Sequence, residues 1–303
     1  MTNPSNVTLS NCDREPIHQL GQIQAFGALI AVNSDWFVAH RSTNLEDIFG
    51  RGRTVEIGAS LTRLMTPGAM DLLRSAAANL AIPDQVERLF GVALFGTDDL
   101  FDCALHSSGA NTIIEIEPHA AGDLNRQLAV LRPIMSRLEK HADLLPLVEE
   151  AARQLRHTLQ IDRVMVYRFR DDLSGEVIAE AAREDLEKFR GLRYPKSDIP
   201  TQARALYVRN RFRIIADVEA EPVPIEPGIS LEGEPLDLSM SALRAVSPIH
   251  IEYLRNMGVR ASLSISIWRI ELLSESSSAL SRTQLDACAV PSSRSSASVY
   301  ASA

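Results

Sequence analysis

The chain has 303 residues, 45% hydrophobic and 23% charged, a composition typical of a globular protein with about two domains. Its net charge of −8 argues against nucleic-acid binding, and its three scattered cysteines argue against a disulfide framework or a zinc site, so we expect a reducing, cytoplasmic compartment. Neither a secretory signal nor a run of about 18 apolar residues is present, so no membrane span is predicted.

The first 120 residues alternate short apolar runs with polar turns. A polar arm occupies residues 1–22. Predicted strands lie at 24–32, 89–94, 101–106 and 111–117, the last alternating apolar and acidic residues with the period of a strand. A short helix is predicted at 44–50, because Gly50 can end it, and further short helices lie between 54 and 80. The pattern predicts an α+β domain over residues 23–120.

Apolar residues then recur at helical spacing over residues 123–159, interrupted by Pro133 and Pro146. The spacing predicts two helices in a connecting region, 121–160. Their apolar stripe either packs on its own domain or is shared with a second copy of the chain. Both interpretations stay open from the sequence, and the second makes a homodimer the candidate assembly.

A second α+β domain is predicted over residues 161–268. Its predicted strands lie at 164–169, 175–181, 212–218 and 261–268. Helices are predicted at 183–190, at 201–210 and in part of 241–257. A proline-bearing loop at 219–238 separates these elements, and loops of that length are often functional. The serine-rich residues 269–303 are predicted to be a disordered tail.

Arginine, tyrosine, serine and one histidine are interspersed with apolar residues over 193–213 and 243–264. Arginine binds carboxylates through two parallel hydrogen bonds, and tyrosine lines apolar pockets with a polar tip. The two segments therefore suit a ligand that has carboxylates and an extended apolar face. A lone histidine such as His250 is more often a structural residue than a functional one.

Three segments carry a resemblance to a known family: NCDREPIH, YPKSDIPTQARALYVRNRFRIIADV and LRAVSPIHIEYLRNMGVRASLSISI, which begin at Asn11, Tyr194 and Leu243. They resemble the chromophore-binding region of bacteriophytochromes, red/far-red photoreceptors with tandem PAS and GAF domains. The resemblance covers residues 9–267. It implies a PAS domain followed by a GAF domain, each an antiparallel sheet with flanking helices. It also implies a knot, in which the N-terminal arm passes through a GAF loop.

The resemblance further implies a ligand, biliverdin IXα, a linear tetrapyrrole with two propionates that is bound covalently through Cys12. It implies that Asp198 and His250 lie near the pyrrole nitrogens, and that Arg213 and Arg244 clamp the propionates. The other implied contacts are Tyr207, Ser247, Ser262 and Ser264 near the propionates, Tyr167, Tyr194 and Tyr253 around ring D, and Ile199 and Pro200 beside Asp198. It implies no catalytic residue and no metal ligand.

Some of these residues have a structural alternative. Tyr167 and Tyr207 have the alternative, less favoured than the ligand role, of being core aromatics. Three further arginines, Arg204, Arg209 and Arg211, are expected on a solvated helix face and its turn.

The chain departs from the family pattern at two places. Family members usually read IQPHG where this chain reads Ile23-Gln24-Ala25-Phe26-Gly27. After Trp268 the resemblance to the family sequences ends. We therefore expect the last GAF strands and helix, the PHY domain and the kinase output to be missing. Residues 269–303 could be an out-of-frame tail, which the gene sequence would decide.

The sequence therefore favours a light-sensing module that binds bilin, with no enzymatic activity beyond its own bilin attachment. The alternative is a degenerate PAS–GAF module that dimerises through residues 123–159 and no longer holds bilin. The missing GAF end and the IQAFG segment favour that alternative. An enzyme acting on a small substrate is a distant third, because the sequence shows no catalytic triad, metal cluster or phosphate loop.

Overall fold

The computed structural model describes residues 15–120, 122, 124–230, 233–271, 281–290 and 301–302. The chain divides into two compact units. The N-terminal unit contains residues 16–121 and 220–247, and the C-terminal unit contains Glu15, residues 122–219 and the described residues from 248 onward. The segment 220–247, which the sequence analysis placed in the second domain, thus folds with the first.

The N-terminal unit contains six strands and two helices from its first segment. In chain order they are β1 (Gln22–Ile23), β2 (Ala28–Val32), β3 (Val38–Ser42), α1 (Leu45–Phe49), α2 (Pro67–Ala78), β4 (Val86–Val92), β5 (Phe101–Ser108) and β6 (Asn111–Pro118). The sequence caps α2 where it begins, because Pro67 occupies the first turn and the Thr66 hydroxyl accepts a hydrogen bond from the Ala69 amide at 3.2 Å.

The rest of the chain supplies four helices and eight strands within the described residues. They are α3 (Leu124–Leu138), α4 (Leu144–Leu159), β7 (Arg163–Phe169), β8 (Gly175–Ala182), β9 (Arg193–Tyr194), α5 (Thr201–Arg209), β10 (Phe212–Ile215), β11 (Val223–Glu226), α6 (Pro248–Asn256), β12 (Ser262–Glu271), β13 (Ser281–Val290) and β14 (Ala301–Ser302). Among the described residues, no helix is both long enough and apolar enough to cross a membrane.

The sheet of the N-terminal unit is antiparallel, with strand order β1-β11-β3-β2-β6-β5-β4. One face packs against α2, where Leu73 joins Ile30 and Ile114 in a buried apolar core. The opposite face is covered by the segment 220–247, whose Leu238 and Leu243 pack against β-strand residues. This sheet is therefore buried on both faces, and β11 adds a strand from a distant part of the chain.

The sheet of the C-terminal unit has the order β10-β12-β13-β14-β7-β8-β9, with β13 also paired to β7. It is antiparallel except for the pairs that β14 makes with β7 and β12. Helix α4 packs on one face, where Val148 and Ala152 contact a core that includes Val164, Val166 and Ala179. The other face carries Ser262, Ser264 and Arg213, three of the residues that the sequence analysis singled out.

The prediction of two helices in the connecting region is confirmed by α3 and α4, although neither proline lies between the two helices. Pro133 lies inside α3 and Pro146 in the first turn of α4. The helix predicted at 183–190 is wrong, because this stretch forms turns and irregular backbone. The Glu180 carboxylate accepts hydrogen bonds from the amides of Phe189 and Arg190, at 2.8 and 3.0 Å, which replace the bonds of a helix.

The expectation of a structureless tail after Trp268 also differs from the structure. Strand β12 continues to Glu271, and β13 and β14 lie in the range predicted to be disordered. Strand β13 pairs with both β12 and β7, so it satisfies backbone groups that would otherwise be left at open strand edges. The knot implied by the resemblance depends on residues 1–14, which lie outside the described residues.

Candidate functional site

The face of the C-terminal sheet opposite α4 carries a buried polar row. The sequence Ser262-Leu263-Ser264-Ile265 alternates along β12, so Leu263 and Ile265 pack towards α4 while the two serines point to the other face. Ser262 and Ser264 are 1% and 3% exposed. Arg213 on β10 lies directly opposite Ser264, and directly opposite residues share a face. A guanidinium and hydroxyl groups are therefore placed side by side.

An aromatic group lies on the same sheet. Tyr167 follows Val164 and Val166, which face α4, and its ring is buried on the other side. Its ring centroid is 5.2 Å from that of Phe169 and 6.0 Å from that of Tyr194. Gly175 makes room for it, because a Cβ there would lie 1.7 Å from the Tyr167 Cζ and Oη atoms. The predicted pair Tyr167 and Tyr194 is thus brought together.

The loop before α5 contains Asp198, Ile199 and Pro200, which are all half-buried. The Asp198 amide donates to the Pro195 carbonyl at 3.1 Å. The Arg204 Nε donates to the Ile199 carbonyl at 2.8 Å, which ties the loop to the helix that follows it.

The prediction that Arg204 lies on a solvated helix face is wrong. Its guanidinium lies 4.5 Å from the Phe169 ring centroid, and the residue is half-buried. Arg209 and Arg211 are exposed as expected. Tyr207, also on α5, is half-buried.

Helix α6 presents His250 and Tyr253 on one side, three residues apart. Their rings are stacked, with centroids 6.1 Å apart and an interplanar angle of 16°. The helix is fixed at its C-terminal end by Arg255, whose Nε and Nη2 each lie 2.8 Å from a carboxylate oxygen of Glu219. The Arg255 guanidinium holds the pKa of the Glu219 carboxyl below its usual range, so this ion pair persists at neutral pH.

Arg244 and Ser247 belong to the N-terminal unit, whereas Arg213 belongs to the C-terminal unit. Arg244 is 7% exposed, and its Nη1 donates to the Ile17 carbonyl at 3.0 Å. The Gln24 Nε2 donates to the Arg244 carbonyl at 3.2 Å. Ser247 is half-buried. Cys12 lies outside the described residues.

Two structural features were missed from the sequence, one in each unit. Gly175 could have been suspected as a glycine that opens a strand, but its role depends on a tyrosine on the neighbouring strand. Glu115 is buried at 2% exposure and accepts hydrogen bonds from residues 241–243. No local signal marks that carboxylate, because its partners are more than 120 positions away.

The side chains described above can bind two kinds of chemical group. Arginine beside serine hydroxyls on a buried face can hold a carboxylate, and stacked histidine and tyrosine rings offer a flat surface with polar tips. Among the described residues, no group of three histidine, cysteine or acidic side chains could hold a metal ion. The arrangement suits an organic ligand with carboxylates and conjugated rings.

Comparison with known families gives two matches. The model of a PAS fold matches residues 12–119, and the model of the GAF domain matches residues 143–271. The GAF match thus contains β7, α5, α6 and β12, the elements that carry most of the predicted site residues.

Individual relatives agree with these matches. The chain is 42% identical over 272 residues to a bacteriophytochrome of Pseudomonas aeruginosa, and 38% identical over 274 residues to one of Xanthomonas campestris. Each comparison covers 88% of this chain but only 36% and 42% of the relative, so the chain spans about two fifths of their length.

A solved structure extends the likeness to three dimensions. The chromophore-binding domain of an unusual bacteriophytochrome from R. palustris superposes with a TM-score of 0.75 at 34% identity, covering 94% of this chain and 91% of that one. With a PAS fold, a GAF domain and this match over nearly the whole of a solved relative, the chain belongs to the bacteriophytochrome family.

Proposed function

We propose that this chain is the chromophore-binding module of a red/far-red photoreceptor and binds biliverdin IXα covalently through Cys12. The observation that carries the proposal is the pairing of Arg213 with Ser264 on a buried polar sheet face. Arg213 is half-buried beside two buried hydroxyls, and a guanidinium in such a setting binds a carboxylate through charge-assisted hydrogen bonds. A propionate of a linear tetrapyrrole would supply that carboxylate.

The residues present fit such a ligand. Arg213, Ser262 and Ser264 would hold a propionate, because they combine a guanidinium with two hydroxyls on one side of the sheet. Tyr167 is seated in the space left by Gly175, and with Tyr194 it would form one wall of the pocket. The solved relative with TM-score 0.75 is the chromophore-binding domain of a bacteriophytochrome.

The remaining assignments are proposals that rest on the family resemblance. Asp198 and His250 would face the pyrrole nitrogens, with Ile199, Pro200 and Tyr253 around them. Tyr207, Ser247 and Arg244 would contact the propionates. Biliverdin supplies red-light absorption and isomerisation at the bridge between its rings C and D, and the protein residues hold and orient it.

Cys12 is the proposed attachment residue, and the surroundings of Cys103 argue against Cys103 as an alternative. Cys103 is buried on β5, where desolvation raises the pKa of its thiol to about 12. The thiolate is the nucleophilic form of cysteine, so Cys103 would be unreactive at neutral pH. We propose no catalytic activity for the chain beyond this attachment, and we place it in the cytoplasm.

The attachment experiment mixes the full chain with biliverdin, denatures it, and detects bound bilin on a gel by zinc-induced fluorescence. Wild type should give a fluorescent band, and Cys12→Ala should give none. Cys103→Ser is the matched control and should keep the band. Equal labelling of Cys12→Ala and wild type would contradict the proposed attachment residue.

A second function, dimerisation without bilin, has one observation in its favour. Helix α3 exposes Val130, Leu131 and Met135 at 42%, 53% and 56%, an apolar set on a helix of the connecting region. A second copy of the chain could cover it. Size-exclusion chromatography with and without biliverdin separates the two functions: a dimer that neither binds nor responds to biliverdin would favour the second.

A further inference from the structure

The carboxylate of Glu115 lies on the N-terminal sheet, on the face covered by residues 220–247. Ile113 is two positions before it on β6 and packs on that face with Leu238 and Leu243. Glu115 is 2% exposed, so its carboxylate is removed from water. A buried carboxylate is costly unless several donors satisfy it.

The donors all come from three consecutive residues. The Ser241 hydroxyl donates to Glu115 Oε1, the Leu243 amide donates to the same oxygen at 2.7 Å, and the Ala242 amide donates to Oε2 at 3.1 Å. Both carboxylate oxygens are thus engaged by one short stretch of backbone. Charge-assisted hydrogen bonds of this kind are stronger than neutral ones, so Glu115 fixes the path of residues 241–243.

The next residue in the chain is Arg244. Its backbone is held on the other side by Gln24, whose Nε2 donates to the carbonyls of Ala242 and Arg244 at 3.4 and 3.2 Å. The backbone amide of Gln24 donates to the Leu243 carbonyl at 2.7 Å, and the backbone amide of Ala245 donates to the Gln22 carbonyl at 3.1 Å. Arg244 therefore projects from a backbone clamped between strand β6 and the β1 segment.

We propose that Glu115 is a positioning residue for Arg244, which it acts on through the backbone of residues 241–243. The inference deepens the proposed function, since it rests on Arg244 as a propionate contact. It assigns to the PAS sheet a role in setting the ligand-binding arginine before the ligand arrives. Preorganisation of this kind improves affinity by removing the cost of ordering the segment that carries Arg244 on binding.

The first measurement is hydrogen exchange of the segment 241–246 in the full chain without biliverdin. Glu115→Gln keeps the shape of the side chain but replaces one acceptor oxygen with an NH₂ group that would face an amide donor. We expect the amides of Ala242 and Leu243 to exchange at least about tenfold faster than in wild type. Glu117→Gln, two positions along β6, is the matched control: it breaks none of these bonds, so it should not speed the exchange of the two amides.

The second measurement is a double-mutant cycle on biliverdin affinity. Glu115→Gln should weaken binding about five- to tenfold in the wild-type background, and by less than twofold in the Arg244→Ala background. An effect of equal size in both backgrounds, or unchanged exchange at Ala242 and Leu243, would overturn the inference. If Glu115→Gln does not fold, Ser241→Ala removes one of the three bonds and should show the same pattern more weakly.

The two proposals fail separately. If wild type does not bind biliverdin, the proposed function fails, and hydrogen exchange alone decides whether Glu115 anchors the segment. If wild type binds biliverdin and Glu115→Gln behaves like Glu117→Gln, the proposed function stands and the positioning role is refuted.

Discussion

Tyr167 has room for its ring because position 175, on the neighbouring strand, is glycine. In Gly175→Ala the new Cβ would meet the Tyr167 ring at 1.7 Å, and this ring is buried against Phe169 and Tyr194. We expect the ring to be displaced and the free energy of unfolding to fall by about 1–3 kcal/mol, the usual cost of overpacking. Urea denaturation measures this loss.

The control for that substitution is Gly96→Ala. Nothing lies within 4 Å of a Cβ at Gly96, so its stability should stay within about 0.5 kcal/mol of wild type. In the biliverdin-loaded protein, Gly175→Ala should also shift the absorption band. Equal stability of Gly175→Ala and wild type would contradict the packing described for Tyr167.

Glu117 gives the protein a pH dependence. Burial, with the charge of Glu115 as the next cause, raises the pKa of the Glu117 carboxyl from its usual 4.5 to about 7. The folded state therefore binds more protons than the unfolded state between these pH values, so the contribution of Glu117 to stability is complete below about pH 4.5 and is lost as the pH rises through 7.

Glu117→Gln removes that titration. Relative to wild type, the variant should gain about 1–3 kcal/mol of stability between pH 4.5 and pH 8, as measured by urea denaturation at a series of pH values. A difference between variant and wild type that stays constant with pH would show that Glu117 titrates normally in the folded protein.

At the scale of single residues, some positions could be predicted from the sequence and others could not. The shared sheet face of Arg213, Ser262 and Ser264 is accessible from sequence, because it follows from strand alternation, while their role toward a ligand stays a prediction. The position of Arg204 could not be predicted, because its partner Phe169 lies on another element and helical spacing alone placed it in solvent. Glu115 alternates with apolar residues as an exposed strand residue would, and only the folding of 220–247 over the sheet buries it.

At the scale of the elements, strands β7 and β8 are joined by two cross-strand ion pairs, one buried and one partly exposed. Arg163 and Glu180 are each 4% exposed by side chain and their Nη1 and Oε1 atoms lie 2.8 Å apart. Arg163 also donates to the Glu187 carbonyl and stacks on the Phe189 ring at 3.8 Å. This pair therefore anchors the stretch between β8 and β9, where a helix was predicted from residue type alone.

Arg163→Met should cost about 3–5 kcal/mol, because it leaves the Glu180 carboxylate buried with its charge uncompensated. The matched control is Arg168→Met, which breaks the pair with Glu176, where the side chains are 39% and 21% exposed. That loss should stay below about 1 kcal/mol. Equal losses in the two variants by chemical denaturation would contradict the distinction between the buried and the exposed pair.

At the scale of the whole molecule, the order of the two domains could be predicted, but the course of the chain between them could not. Residues 220–247 lie inside the GAF sequence and supply strand β11 to the other sheet, a long-range pairing that no local pattern indicates. Likewise, β13 comes from a serine-rich stretch with weak periodicity and is ordered by pairing with β12 and β7.

The chain is proposed to be a light-sensing module that binds bilin. The measurement that tests this proposal most directly is the visible and near-infrared spectrum of the purified chain mixed with biliverdin, recorded before and after red illumination. A band shifted to the red of free biliverdin, with a light-induced difference spectrum, is the predicted result. A spectrum identical to that of free biliverdin, unchanged by light, would contradict the account and favour the bilin-free dimer.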